Sequence, residues 1–307
     1  MRELVSLDAG SSEDFVALIK KRHTVLKALR NFFEQHGYLA VQTPVRVRCP
    51  GFDPYIDAIP AGEGFYLAPS PELQMKRLLG FGLDRIYQIT PAFRAEEQGA
   101  HHSSEFTMLE WYRTGTDYLG ILDETEQLIN HLMRELELPA QSWQMPFPRV
   151  TVQEVYERHA GWNPCQNWDE DRYFKDWVSV IDPWLQNQRG LFLLDFPAPL
   201  ASLARIPEHN PGICERFELF MDGLEIANAF TELTDPLEHG LRFQAAQEKR
   251  IAMGKDAYPP DEGFMSFVRA PGMPDAGGIA LGVDRLVMAL FGIPHIDMVQ
   301  AFPLSRL

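Results

Sequence analysis

Phe93-Arg94-Ala95-Glu96, then His102-Ser103-Ser104-Glu105-Phe106 after a short loop, and far downstream Gly277-Gly278-Ile279-Ala280-Leu281-Gly282-Val283-Asp284-Arg285-Leu286, are the stretches on which the reading of this chain turns. The first has the form F-R-x-E, loop, H-x-x-x-F, and runs into a strand from Phe106 to Tyr112. The second is a glycine-rich strand that becomes a helix at G-x-D-R. Together they offer two arginines, a histidine and an aromatic ring. Those are the parts needed to grip a triphosphate and a flat base.

Working outward, residues 12–36 place Phe15, Leu18, Ile19, Val25, Leu26, Leu29, Phe32 and Phe33 at helical spacing. Ser11 or Ser12 can cap that helix, Glu13 and Asp14 suit its first turn, and Gly37 stops it. Tyr38 to Val41 is a short strand ended by Pro44. Strands at 64–69 and 85–90 flank a helix from Pro71 to Leu79, opened by Ser70-Pro71-Glu72. Residues 119–137 predict a helix, 139–148 a linker, and Thr151-Val152-Gln153-Glu154 a capping box. The Trp- and Asp-rich stretch that follows reads as a helical insertion over about 140–215, with an apolar strand at Leu191–Phe196. Phe217–Met221 and Glu225–Phe230 form a hairpin around Asp222-Gly223. Asp235-Pro236 opens a charged helix ending near Gly254, on which Lys249 and Arg250 read as a solvated pair. Strands joined by hairpins and mixed with helices predict one α+β domain over residues 1–307, an antiparallel sheet flanked by helices.

The chain can bury a sizeable core, with 45% hydrophobic residues. No apolar run approaches the ~20 residues that span a bilayer, which predicts no membrane partner. Residues 1–14 lack the basic-then-apolar pattern of a secretory signal. Cys49, Cys165 and Cys214 are widely spaced, which suits a reducing cytoplasm and argues against a disulfide framework or a zinc site. A net charge of −15 without any Lys/Arg cluster argues against tRNA or another nucleic acid as the partner.

The motifs resemble those of the class II aminoacyl-tRNA synthetases. Gly37-Tyr38-x-x-Val41-x-x-Pro44 is similar to the first signature motif, the F-R-x-E block to the second, and Gly278, Gly282, Asp284 and Arg285 to the third. Glu105-Phe106-Thr107-Met108-Leu109-Glu110 and Glu225-Ile226-Ala227-Asn228-Ala229-Phe230-Thr231-Glu232-Leu233 resemble lysyl-tRNA synthetase in particular. The first motif begins within forty residues of the start, leaving no space for an anticodon-binding domain. The chain therefore resembles the truncated lysyl-tRNA synthetase paralogues that lysylate elongation factor P. Trp111-Tyr112-Arg113 and Ala280, where the synthetases carry glycine, look like that group. The chain departs from the family pattern at Ala95, Ala100, Ser103, Ser104 and Ala229.

The resemblance implies an ATP-dependent ligase, working as a homodimer with Mg²⁺. It would join lysine or (R)-β-lysine to elongation factor P through an aminoacyl-adenylate. It implies Arg94 on the α-phosphate and Arg285 with His102 on the outer phosphates. Phe106 would stack on adenine with Arg285 over its other face, and Glu96 would accept from the adenine amino group. Ala95, Ser103, Ile226 and Gly282 would complete the ATP site. Ser70, Pro71, Glu72, Tyr112, Glu232 and Ala280 would bind the amino acid. Glu225 and Glu232 would hold Mg²⁺; spaced by seven, they need a bend in the strand between them, which Asn228-Ala229 allows. Two other readings share these motifs: a stand-alone ligase that charges tRNA, and a non-catalytic regulatory paralogue.

Overall fold

The computed structural model describes residues 12–139 and 142–307. The cap expected at Ser11, the side chains of Ser12, Glu13 and Asp14, and the leader reading of residues 1–11 lie outside them. α1 (Ser12–Gln35) forms where the apolar spacing predicts it, and buries Val25, Leu29 and Phe33 completely. β1 (Leu39–Ala40) follows, then a two-stranded ribbon of β2 (Arg46–Val47) and β3 (Tyr66–Leu67), and α2 (Glu72–Leu79). β4 (Arg85–Phe93) and β5 (Glu105–Thr114) form a long hairpin whose loop carries Arg94 to Ser104. α3 (Tyr118–Glu135) starts where the Asp117 side chain accepts the Gly120 N–H at 2.9 Å.

β6 (Arg149–Thr151), α4 (Val152–His159), α5 (Glu170–Asp176), α6 (Asp182–Leu185) and β7 (Gly190–Pro197) come next. α4 opens on the capping box at Thr151 and Glu154, with both reciprocal bonds made. β8 (Ile213–Met221) and β9 (Leu224–Thr231) turn at Asp222 and Gly223, both at positive φ. α7 (Pro236–Ala252), α8 (Glu262–Phe267), β10 (Ala276–Gly282) and α9 (Val283–Phe291) complete the fold.

The strands form one eight-stranded sheet in the order β1-β4-β5-β10-β9-β8-β7-β6. The six central strands are antiparallel neighbours, and only the end pairs β1·β4 and β6·β7 run parallel. One face carries α1, α3 and α9 on a core that includes Leu109, Trp111, Ile279 and Leu281. Strand periodicity then sends Met108, Glu110 and Tyr112, together with Gly278 and Ala280, to the opposite face.

Two expectations need correction. The region around 140–215 is more than a helical insertion: β7 falls on the strand expected at Leu191–Phe196, and β6, which was not expected, pairs with it so that both extend the central sheet. β7 reads as a continuous apolar run because both its faces are covered. Phe192 and Leu194 enter the main core, while Leu191, Leu193 and Phe196 join a satellite core with Tyr156, Tyr173 and Ile181. Nor is Arg250 a solvated residue. It is 5% exposed, lies over the Tyr258 ring, and donates to the Pro54 and Ile56 carbonyls and to Asp57 Oδ1 at 3.0–3.1 Å.

Candidate active site

The floor of the site is built from three strands. On β10 the residues facing away from the core are Gly278, Ala280 and Gly282. Gly278 sits opposite Tyr112 and Phe230, Ala280 opposite Glu110 and Asn228, and Gly282 opposite Met108. A middle strand with almost no side chain between two strands bearing long ones makes a trough. A Cβ at Gly278 would run into the Glu232 carboxylate and the Tyr112 ring. The trough holds two cavities, and Met108, Asn228, Ala280 and Arg94 line both.

The first cavity, about 150 Å³, is lined by Ser70, Glu72, Glu110 and Tyr112 among others. Ser70 Oγ donates to Glu110 Oε1 at 2.5 Å and accepts the Glu72 N–H at 3.0 Å, which also starts α2. Tyr112 donates to Glu110 Oε2 at 2.7 Å. Lys76, one helical turn after Glu72, bridges Glu72 at 2.5 Å and Glu232 at 2.6 Å. Burial, followed by the neighbouring Glu72, pushes the Glu110 carboxyl up to about 7. Burial likewise pushes Glu232 up to about 8, against the opposing pull of Lys76. Burial works to lower the Lys76 pKa, but Glu232 and Glu72 outweigh it and the net shift is upward. The Glu232 Oε1 atom is buried without a hydrogen-bond partner. The chemistry of such a wall is recognition of cations.

The second cavity, about 300 Å³, is lined by Arg94, His102, Ser103, Phe106, Glu225, Ile226, Gly282 and Arg285 among others. The Arg94 guanidinium lies 5.2 Å from the Phe106 ring centre. Arg285 donates from Nε to the His101 carbonyl at 3.0 Å and from Nη1 to the Glu225 carbonyl at 3.1 Å. Its Nη2 lies 2.6 Å from His102 Nε2. A guanidinium has no acceptor, so His102 accepts there and its ring is neutral; burial and Arg285 lower its pKa in agreement. The loop after β4 is pinned by the Ala95 N–H donating to the Asp57 carbonyl at 2.6 Å. Asp57 is held in turn by Arg250 and Lys255. Two arginines, a neutral histidine and a half-buried aromatic ring suit a polyphosphate joined to a planar base.

The structure therefore gathers Ser70, Glu72, Tyr112 and Ala280 at one cavity, with Glu232 buried behind its wall on Lys76, and Arg94, His102, Ser103, Phe106, Glu225, Ile226, Gly282 and Arg285 at the other. It does not gather everything. Pro71 lines neither cavity and serves as the turn into α2, its carbonyl accepting the Met75 N–H. Ala95 is used through its backbone alone. Glu96 is exposed at φ 60°, and Glu97 lines the second cavity in its place. The Arg94 guanidinium lies over Phe106, while the His101 carbonyl, His102 and the Glu225 carbonyl hold Arg285.

The pairing of Glu225 with Glu232 at one metal is also corrected. The bend lies not at Asn228-Ala229 but at Ile226, the extra residue where Leu219–Phe220 face Ala227 and Glu225. That bulge puts both carboxylates on one face. Yet a strand rises about 3.3 Å per residue, so seven residues separate them by roughly 20 Å. Glu232 belongs to Lys76. The carboxylate on Glu225's side is Glu218, two residues from its cross-strand partner Phe220 and raised to about 7 by burial and by Glu225. Sequence reasoning missed Glu110, Lys76 and Glu218. Period two from Tyr112, a helical turn from Glu72 and the hairpin register each carried the signal.

Residues 4–306 match the family model for class II tRNA synthetases of the D, K and N group. Similar proteins include three named elongation factor P–(R)-β-lysine ligase. The one from Vibrio cholerae is 36% identical over 95% of this chain and 96% of its own length. Those from Proteus mirabilis and Vibrio vulnificus are 35% identical, over 95% and 93% of this chain and 96% and 95% of their own.

Proposed function

This chain belongs to the class II tRNA synthetases of the D, K and N group and, within it, to the family of the elongation factor P–(R)-β-lysine ligases; from that premise we propose that it activates (R)-β-lysine with ATP and transfers it to a lysine side chain of elongation factor P. The observation that carries this reading is the shared trough, with a carboxylate-walled cavity on one side of Ala280 and an arginine-lined one on the other. Lysine's ammonium groups enter the first, its carboxylate points to the second.

A substrate carboxylate oxygen attacks the α-phosphorus of ATP and pyrophosphate leaves. Arg94, at the junction of the cavities, neutralises the charge that builds there. Arg285 and neutral His102 hold the outer phosphates, and Phe106 stacks on the base. Glu225, which lines the second cavity, and Glu218 beside it would hold Mg²⁺; the neighbouring cations are Arg216, 2.6 Å from Glu218, and Arg285, 3.8 Å from Glu225. When bound, the ion would neutralise phosphate oxygens. In the second half-reaction the acceptor amine attacks the acyl carbonyl, AMP leaves and the amine loses a proton. The chain works as a homodimer in the cytoplasm, a reading supported by exposed Leu39 and Val45 beside the first motif and by three free cysteines. The Ala280 methyl at the floor of both cavities crowds the α-carbon, which favours the β-isomer.

The test is to mix the protein, ATP and each lysine isomer with elongation factor P and read the intact mass. A gain of one lysyl group, with faster pyrophosphate exchange for the β-isomer, is expected. Charging of tRNA alone, or a clear preference for α-lysine, rejects the assignment.

A further inference from the structure

Two carboxylates, Glu72 and Glu110, line the acyl cavity, a third, Glu232, is buried behind its wall, and one ammonium stands among them. Lys76 Nζ is 2.5 Å from Glu72 and 2.6 Å from Glu232, with its side chain 1% exposed. It lies 4.8 Å from the centre of the Phe230 ring and 6.0 Å from that of Tyr112. Glu110 completes the wall and is bonded to Ser70 and Tyr112, not to Lys76. We propose that Lys76 sets the charge this pocket demands of its substrate: it cancels one of the three carboxylates and ties Glu72 to Glu232, so that the pocket selects acids bringing two ammonium groups.

The inference rests on the acyl-pocket assignment above and deepens it. With all three carboxylates ionised, three negative charges against one positive leave two to be matched. A diamino acid whose own carboxylate faces the nucleotide brings two positive charges. The acceptors nearest the cavity are Glu72, which is partly open to it, and Glu232 Oε1, which is buried against Gly278 without a hydrogen-bond partner. A monoamino acid would leave one carboxylate unmatched in a nearly dry site, where it must take up a proton or weaken binding. The charged and titratable groups facing Lys76 and Glu232 are Glu72 on α2, Glu110 and Tyr112 on β5, and His239 on α7. His239 gives its Nε2 to the Leu233 carbonyl at 2.8 Å, and burial lowers it to about 4, so it adds no charge at neutral pH. Lys76 is thus a specificity-determining residue that touches the substrate's partners rather than the reacting atoms.

The experiment measures (R)-β-lysine binding to the full chain by calorimetry across neutral and mildly alkaline pH, in the wild type and in Lys76→Met. Removing the ammonium raises the carboxyl pKa values around it. Binding at neutral pH should weaken by roughly tenfold, and the acid limb of the affinity profile should move up by about one pH unit. Adding Glu110→Gln to Lys76→Met restores the charge count and should return the limb toward its original position, an outcome that a purely packing role does not give. Affinity and limb unchanged in Lys76→Met overturn the proposal. If Lys76→Met does not fold, Glu110→Gln alone decides: it should narrow the preference for lysine over its single-ammonium analogue norleucine by roughly tenfold, and an unchanged ratio overturns the proposal. A wild-type chain that binds neither lysine isomer removes the assigned function together with the proposal, whereas failure of the variants alone leaves that function standing.

Discussion

At the scale of single residues the site is a set of carboxyl groups at odds with their burial. Glu110 and Glu232, at about 7 and about 8, hold protons that the unfolded chain releases near 4.5. Their folded pKa values are raised, so the stability they allow is present below 4.5 and is lost as pH rises through 8. A bound diammonium acid reverses this by favouring the ionised forms. The thermal shift caused by (R)-β-lysine should therefore be larger at about pH 8.5 than at about pH 6; an equal or smaller shift at the higher pH would count against ionised carboxylates as the ligand's partners. Gly278 tests the trough itself. In Gly278→Ala the new methyl meets the Glu232 carboxylate and the Tyr112 ring, so the KM for lysine in pyrophosphate exchange should rise by about tenfold or more while the KM for ATP changes little. Arg94, His102 and Phe106 stood out in the sequence because they share one short segment, and Arg285 because it ends the compact G-x-D-R turn. Lys76 and Glu110 were legible in principle, through helical and strand periodicity, but a lone lysine on an amphipathic helix reads as solvated until its neighbours across the fold are known.

At the scale of elements, β10 and the turn into α9 do the joining. Asp284 is buried at the start of α9, where its carboxylate accepts the Thr107 N–H at 2.5 Å and pairs with Arg22 of α1 at 2.7 Å. Arg22 also donates to Thr107 Oγ1 at 2.8 Å. One carboxylate thus fixes α1, β5 and α9 to each other, and its neighbour Arg285 projects into the second cavity as a result. Asp284→Ala strands the guanidinium and the N–H together, and should cost about 3 kcal/mol of stability, read as a lower denaturation midpoint in urea. A midpoint unchanged from wild type would deny Asp284 that role. Hairpins, caps and helix ends could be read from local residues: Asp222-Gly223, Thr151 with Glu154, and Asp235-Pro236 all act as their types predict. The bulge at Ile226 could not, because nothing in Glu225-Ile226-Ala227 marks an extra residue until β8 is laid beside it.

At the scale of the whole molecule, Arg250 connects the parts. From α7 it anchors the carbonyls of Pro54 and Ile56 and the carboxylate of Asp57, and the Asp57 carbonyl holds the loop that bears Arg94. Asp53 and Ile56 of the same segment line both cavities. Arg250→Ala should therefore raise the KM for lysine and for ATP together, by roughly tenfold each; a change confined to one substrate would show that the segment serves one cavity only. The amino-acid sequence by itself determined the α+β class and most of the elements that carry the site, because periodicity, caps and turn residues act over a few neighbours along the chain, and its motifs carried the resemblance to the family. The tertiary structure alone decided that Glu232 pairs with Lys76, that Glu218 lies near Glu225, and that Arg250 is buried. Those outcomes depend on charges and desolvation summed over side chains far apart in sequence, and only the register of the folded sheet brings such side chains within reach of one another.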